Sequence, residues 1–188
     1  MDDRSQRDEA EEPAAPLGKA AASREHEDLA TREQERALEL AYRAVGYRER
    51  TVAELRTFLE RKRVEPVAID GAVAELTAAG FLDDARYARR FADDKRELER
   101  WGTERIARDL RRRGIAPDLI ETVIADRGRE AELRTALLLL EQRVRPPRTD
   151  RDRDRAWRLL VRRGYEPEIA YEAVRRHERA GDDERRAA

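Results

Sequence analysis

The sequence of 188 residues contains no cysteine and two histidines, and only 5% of its residues are aromatic. The lack of cysteine excludes disulfide bonds and thiolate chemistry. The longest apolar run, Ala136–Leu140, is far shorter than the roughly 20 residues that a membrane-spanning helix needs. The acidic start at Asp2 and Asp3 also lacks the basic end of a secretory signal. We therefore expect a soluble protein of the cytoplasm that does not bind membranes.

Charged residues are abundant at 44%, whereas hydrophobic residues reach only 39%, which favours small helical units that each bury a narrow apolar stripe. The charges are unevenly distributed along the chain. Residues 1–30 carry nine acidic and four basic residues, whereas residues 31–177 carry a net charge of +5. The segments 1–30 and 178–188 contain almost no large apolar side chain, so we predict that both are disordered tails and that the first is acidic.

Three segments of the sequence, Thr51–Val73, Gly102–Ile124 and Asp152–Val174, resemble one another at steps of 51 and 50 residues. The recurring positions hold a leucine (Leu59, Leu110, Leu160), a basic pair (Arg61-Lys62, Arg112-Arg113, Arg162-Arg163) and a proline (Pro66, Pro117, Pro167). A period that so many positions share indicates a true internal repeat.

Each repeat has the pattern of a helix, a turn and a second helix. In the first repeat, Thr51 and Glu54 have the spacing of a capping box, which starts a helix. In the other two repeats, Gly114 and Gly164 follow the corresponding helix, where a left-handed C-terminal cap is expected. The repeated prolines then fit the first turn of the next helix, because the N–H that proline lacks has no partner there.

A leading helix precedes each of these helix pairs. We predict the leading helices at about residues 33–45, 84–100 and 129–144, with Pro146 and Pro147 breaking the chain after the last one. The sequence therefore predicts an all-α fold of three tandem three-helix repeat modules. Their predicted bounds are residues 31–82, 83–127 and 128–177.

The segment from Gly80 to Phe91 closely resembles the signature of the RecX family, whose members are bacterial regulators of the RecA recombinase. The signature residues are Gly80, Phe81, Asp83, Asp84, Tyr87 and Phe91. Three further segments are similar to motifs of the family, namely Thr51–Leu55, Arg105–Ile115 and Leu160–Tyr165. The resemblance covers about residues 33–177. Arg63 departs from it, since the other two repeats have glycine there, and the acidic tail before residue 31 lies outside the family's common core.

This resemblance implies that the modules form an elongated, curved array, which lies in the helical groove of the RecA–DNA filament. It implies that the protein limits filament growth, ATP turnover, strand exchange and the co-protease activity that triggers the SOS response. The implied partners of this monomer are the RecA filament and, with low affinity, single- and double-stranded DNA. No enzyme activity and no cofactor are implied.

Two pairs of acidic residues, Asp83-Asp84 and Asp93-Asp94, resemble the paired carboxylates of a metal-dependent nuclease. We expect instead that Asp83 or Asp84 caps the following helix, and that Asp93 and Asp94 belong to its solvated side. No histidine or third acidic residue stands at ligand spacing from them, and the two histidines lie near the chain ends. The sequence therefore predicts neither a metal site nor a catalytic site.

The aromatic residues Tyr87, Phe91 and Trp101 are of the type that stacks on single-stranded bases in nucleic-acid-binding proteins. We expect core packing instead, because Tyr87 and Phe91 share a helix face on which no basic residue lies between them. Trp101 is the expected exception among the three.

Arginines cluster on the second helices of the second and third repeats. The candidate partner- and DNA-binding residues are Arg105, Arg108, Arg111, Arg112, Arg113, Arg155, Arg158, Arg162 and Arg163. A basic residue near a helix C-terminus is favoured by the helix dipole alone, which is the alternative explanation. Because the clusters recur and their spacing places several arginines on one helix face, we expect a broken basic stripe that faces solvent.

Two other functions remain open. A three-helix unit with a basic helix resembles a helix-turn-helix transcription regulator, although the second helices carry no central Asn or Gln that would read bases. Stacked helical repeats also serve as scaffolds for other proteins. Selection on random duplex DNA would separate the first alternative from RecA regulation, and a pull-down from damaged cells would separate the second.

Overall fold

The computed structural model describes residues 17–126 and 128–187, with side chains from residue 25 onwards. These residues form helices and no strand, so the predicted all-α fold is confirmed. The helices are α1 (Leu17–Tyr47), α2 (Val52–Arg61), α3 (Pro66–Ala78), α4 (Asp84–Glu99), α5 (Thr103–Arg112), α6 (Pro117–Ala125), α7 (Gly128–Arg143), α8 (Asp150–Arg162) and α9 (Pro167–Ala187).

The helices form three modules, α1–α3, α4–α6 and α7–α9, and each module has its own hydrophobic core. In every module the first and second helices both pack against the third. The repeated leucines Leu59, Leu110 and Leu160 are fully buried in the three cores. The sequence period near 50 residues is therefore the period of a folding unit, and the predicted three tandem three-helix modules are confirmed.

The turn between the second and third helices has the same form in each module. A residue with positive φ follows the second helix: Arg63 (57°), Gly114 (77°) or Gly164 (87°). The third helix then begins at the repeated proline, as predicted. Its fixed φ and missing N–H suit the first turn of a helix.

The helix caps differ in part from the prediction. The Thr51 hydroxyl accepts a hydrogen bond from the Glu54 N–H at 3.1 Å, but the Glu54 carboxylate pairs with arginines instead of returning to the cap. A complete capping box occurs at Thr149 and Asp152, where the Thr149 hydroxyl donates to the carboxylate and lowers the pKa of Asp152. Asp83 caps α4 by accepting from the N–H of Arg86 at 2.8 Å, as expected.

Helices extend into both segments that the sequence predicted as tails. α1 begins at Leu17, so residues 17–30 are helical, although the side chains of residues 25–32 are all exposed. Alanine and glutamate, which favour helices strongly, are frequent in this segment. α9 continues to Ala187 because Gly181 is buried against Pro146 and thereby ties the end of the helix to module 3. Residues 1–16 of the predicted acidic tail lie outside the described residues.

Arg63 adopts the left-handed conformation that glycine adopts in the other two modules. This conformation costs an L-residue roughly 1–2 kcal/mol, whereas glycine adopts it readily. Gly114 and Gly164 also lie against the preceding module, at Ala53 and Arg105 respectively, where a Cβ atom would overlap with them. Within the described residues no module precedes module 1, and the exposed side chain of Arg63 meets no such contact.

The Arg63→Gly variant is therefore expected to be more stable than the natural chain, by about 1 kcal/mol, because it relieves the strained φ. Urea denaturation should show a higher midpoint with an unchanged slope. A lower midpoint would mean that the Arg63 side chain contributes more to stability than its backbone strain removes.

Candidate partner and nucleic-acid interface

The second helix of module 1 contacts module 2 through its N-terminus. The Thr51 hydroxyl donates to the carbonyl oxygen of Arg113 at 2.6 Å, and the N–H of Val52 donates to Asp84 at 3.0 Å. The Arg113 guanidinium pairs with Glu54 at 2.8 Å. Burial raises the pKa of the Asp84 carboxyl, although the hydrogen bond from Val52 opposes this shift. Polar groups thus hold modules 1 and 2 together.

The junction between modules 2 and 3 repeats this arrangement. The N–H groups of Gly102 and Glu104 donate to the carbonyl oxygens of Arg163 and Gly164 at 2.9 and 3.0 Å. The Arg163 guanidinium donates to the Glu99 carbonyl at 2.7 Å. In the first junction, therefore, the start of α2 contacts the end of α5, and in the second the start of α5 contacts the end of α8.

These junctions correct part of the predicted basic stripe. Arg113 and Arg163 are half-buried between modules, and each contributes both its carbonyl oxygen and its guanidinium to a junction. The sequence predicted that both side chains face solvent, and for these two arginines the prediction is wrong. The repeat pattern did not reveal this role, because the basic pair also recurs in module 1, which has no preceding module among the described residues.

A basic groove, here called the junction groove, lies at the boundary of modules 1 and 2. It has a volume of about 340 Å³. Its arginines are Arg48, Arg50, Arg61, Arg111, Arg112 and Arg113. The Arg112 side chain is 70% exposed and pairs with Asp109, while Arg111 is exposed. Glu54 pairs with Arg48 at 2.9 Å and with Arg113, so part of the groove's positive charge is compensated.

A second basic groove, here called the module-3 groove, lies between α8, α9 and the segment 143–148. It is larger, with a volume of about 820 Å³. Its arginines are Arg143, Arg145, Arg148, Arg155, Arg162, Arg163 and Arg185. Asp152 and Glu184 are its acidic residues, and Val144, Pro146 and Leu159 are apolar parts of its lining. Three candidate residues from the sequence, Arg155, Arg162 and Arg163, thus meet arginines that were not predicted.

The remaining candidate arginines line neither groove. Arg105 stacks on the Trp101 ring with its guanidinium carbon 3.8 Å from the ring centre, and it therefore belongs to the fold. Arg108 is exposed, and Arg158 is exposed and pairs with Asp154 at 2.7 Å. The predicted stripe is thus divided into two grooves by arginines that serve packing and junctions.

The residues of the family signature contribute to the turns and to the packing of modules 1 and 2. Gly80 adopts a φ of 75°, and Phe81 after it is 53% exposed and packs edge to face with Tyr42. Tyr87 is buried and Phe91 is half-buried, and both belong to the core of module 2, as expected. Trp101 is also in this core, with only 8% of its surface exposed, so the exception predicted for it is wrong.

The aromatic residues of module 2 have cations beside them, which the sequence interpretation missed. The Arg113 guanidinium lies 4.9 Å from the Phe91 ring centre, and Lys95 lies 4.8 Å from that of Trp101. Arg113 follows α5, so the face of α4 could not reveal it, whereas Lys95 lies one turn after Phe91 on that same face and could have been found in the sequence. Their contacts with the ring faces support packing of the module rather than an open platform for bases.

The acidic pairs form no metal site among the residues that the structure describes. Asp83 caps α4 and Asp84 serves the junction, while Asp93 is exposed and lies 3.5 Å from Arg96. His177 is buried, with its Nε2 atom 3.0 Å from the carbonyl oxygen of Val144. No helix in the described ranges combines the length and the apolar character that crossing a membrane requires.

Apart from Arg61 in α2, the groove arginines that were not among the candidates lie outside the second helices. Arg48 and Arg50 follow α1, and Arg143, Arg145 and Arg148 surround the two adjacent prolines. A repeat comparison does not find them, because these connecting segments differ between modules. The one signal in the sequence was the segment 143–148 before α8, where three arginines stand close to two prolines.

Comparisons with known proteins agree with the modular architecture. The family model described as the first three-helix domain of RecX matches residues 37–76, and the model of the second three-helix domain matches residues 83–124. The regulatory protein RecX of Deinococcus radiodurans is 38% identical over 150 residues, which cover 77% of this chain and 71% of that protein. The regulatory protein RecX of Trichlorobacter lovleyi is 34% identical, over 69% of this chain and 87% of that protein.

A solved structure has the same fold. The crystal structure of RecX from Lactobacillus salivarius matches with a TM-score of 0.72 at 15% identity, covering 79% of this chain and 98% of that one. The fold similarity, the two family models and relatives that are more than 30% identical over most of their length lead to one conclusion: this chain belongs to the RecX family of regulatory proteins.

Proposed function

We propose that this chain binds in the helical groove of the RecA–DNA filament and inhibits the recombinase, ATPase and co-protease activities of RecA. It does so in DNA repair and the SOS response, as a cytoplasmic monomer without catalysis and without a cofactor. Low-affinity contacts to single- and double-stranded DNA accompany this binding.

The proposal rests on one observation: exposed arginines lie together in two separate grooves of the molecule. Arg111 and Arg112 lie in the junction groove, and Arg155 and Arg162 lie in the module-3 groove. In both grooves the arginines outnumber the acidic residues, and a groove with such an excess of one charge attracts and orients partners of the opposite charge. A filament groove with acidic walls and DNA phosphates is such a partner.

In modules 1 and 2, the junctions disfavour the alternative of a sequence-specific transcription regulator. A helix-turn-helix protein reads bases with the N-terminal residues of its recognition helix. In α2 and α5 those residues contact the next module, through Thr51 and Val52 in the first case and through Gly102 and Glu104 in the second. Neither helix start is therefore free to enter a major groove.

The test of the proposal is inhibition of the DNA-dependent ATPase of RecA by two charge-reversed variants. One carries Arg111→Glu and Arg112→Glu, and the other carries Arg155→Glu and Arg162→Glu. All four side chains are exposed, so the variants are expected to fold. Each is expected to need an at least roughly tenfold higher concentration for half-inhibition, which corresponds to about 1.4 kcal/mol of binding free energy. Inhibition by the natural chain should also weaken as salt rises.

A matched control carries Arg89→Glu and Arg134→Glu, which change the net charge equally at exposed positions outside both grooves. This control is expected to inhibit like the natural chain. If the two groove variants, folded as judged by circular dichroism, inhibit fully, the grooves do not bind the filament. Equal loss in the control would show that only the total charge matters.

A further inference from the structure

The arginines of the module-3 groove are less compensated than those of the junction groove. Within the described part of the chain, the side chains of Arg143, Arg145, Arg148 and Arg162 have no carboxylate at ion-pair distance. In the junction groove, by contrast, Glu54 and Asp109 form ion pairs with three of the six arginines. A polyanion would therefore gain more from the module-3 groove, because it displaces no carboxylate from these four arginines.

The backbone that carries these arginines is held in place at several points. The Val144 carbonyl oxygen is bonded to His177, and Pro146 packs so closely on Gly181 that a Cβ atom there would overlap with it. The capping box at Thr149 fixes the end of the segment. Because Arg145 and Arg148 project from a fixed segment, little backbone ordering is needed when a ligand binds.

From the charge and the rigidity of this groove, we infer that the module-3 groove is a binding site for the phosphodiester backbone of single-stranded nucleic acid, and that it binds without the recombinase. The inference refines the proposed function, because it assigns direct nucleic-acid contact to one groove. The guanidinium groups bind phosphates, and the apolar lining at Val144, Pro146 and Leu159 suits sugars and bases.

The distribution of charge favours a chain-like ligand over a small anion. Arginines enter the groove from three separate segments, the 143–148 connection, α8 and the end of α9. A single phosphate group contacts only a few guanidinium groups, whereas successive phosphates along a strand reach all three segments. Inorganic polyphosphate shares this chemistry and therefore serves as the competitor in the test.

The experiment measures the fluorescence anisotropy of a labelled oligothymidylate of about 20 nucleotides with the full chain and no recombinase. The Arg145→Glu, Arg148→Glu variant is expected to bind it at least about tenfold more weakly than the natural chain. The dependence of log K on log salt should become shallower by about 1.4, since each lost phosphate contact contributes roughly 0.7 for single strands.

A matched variant locates the site. The Arg89→Glu, Arg134→Glu variant makes the same charge change at exposed positions outside both grooves. It is expected to keep the affinity for the oligonucleotide within about threefold of the natural chain. An equal loss in this variant would overturn the assignment, and so would a failure of the natural chain to bind.

Competition distinguishes the two sources of phosphate. Polyphosphate is expected to displace the oligonucleotide only at a large excess of phosphate, because it offers nothing to the apolar lining. Equal displacement per phosphate would show a general polyanion site and would overturn the nucleic-acid assignment. The ATPase assay is a separate measurement, so oligonucleotide binding by a chain that does not inhibit RecA would leave this inference standing and refute the proposed function.

Discussion

Replacing Gly164 by alanine is expected to lower the free energy of unfolding by about 2–5 kcal/mol. Two effects add up at this position. The φ of 87° is strained for any residue with a Cβ atom, at roughly 1–2 kcal/mol. The new Cβ would also overlap with the backbone and Cβ of Arg105 in module 2, and such overpacking costs about 1–3 kcal/mol. Urea denaturation followed by circular dichroism measures the change.

The control for this variant is Gly80→Ala. Gly80 has a similar φ of 75°, but an added Cβ would have no atom within 4 Å. Its expected loss is therefore the strain alone, about 1–2 kcal/mol. The difference between the two variants reports the contact between modules 2 and 3. Equal losses would mean that the junction adapts to the extra methyl group without cost.

The sequence predicted the modules because the same physical demands recur in each of them. A buried leucine, a left-handed turn residue and a proline at a helix start are all set by local packing and backbone geometry, so they repeat with the fold. From the sequence alone, there was no explanation for Arg63 at the position where the other two repeats have glycine. The structure explains it, because glycine is required where a module touches its predecessor, and no module precedes module 1 in the part of the chain that the structure describes.

The sequence could not separate the arginines that hold modules together from those that are free to bind. Arg112 and Arg113 are neighbours in an identical pattern, yet the first is 70% exposed and the second is half-buried between modules. Which of them faces a junction depends on how consecutive modules are oriented, and the period of a repeat does not encode this. The connecting arginines near Pro146 enter the module-3 groove for the same tertiary reason.

Replacing Leu160 by alanine is expected to cost about 2–5 kcal/mol, because this fully buried side chain leaves a cavity in the core of module 3. The more informative question is which modules lose stability in this variant. Each module has a separate apolar core, and the junctions described above are made mainly of hydrogen bonds and an ion pair. Coupling between modules is therefore weaker than cohesion within them, as in other repeat proteins.

The two tryptophans of the chain allow this to be measured, since Trp101 belongs to the core of module 2 and Trp157 packs against that of module 3. In a Trp101→Phe background, the fluorescence of Trp157 should show the full effect of Leu160→Ala on the unfolding midpoint. In a Trp157→Phe background, Trp101 should show less than about half of it, because module 2 keeps its own core. If both probes moved equally, the chain would unfold as one cooperative unit, and the polar junctions would couple the modules as strongly as a shared core does.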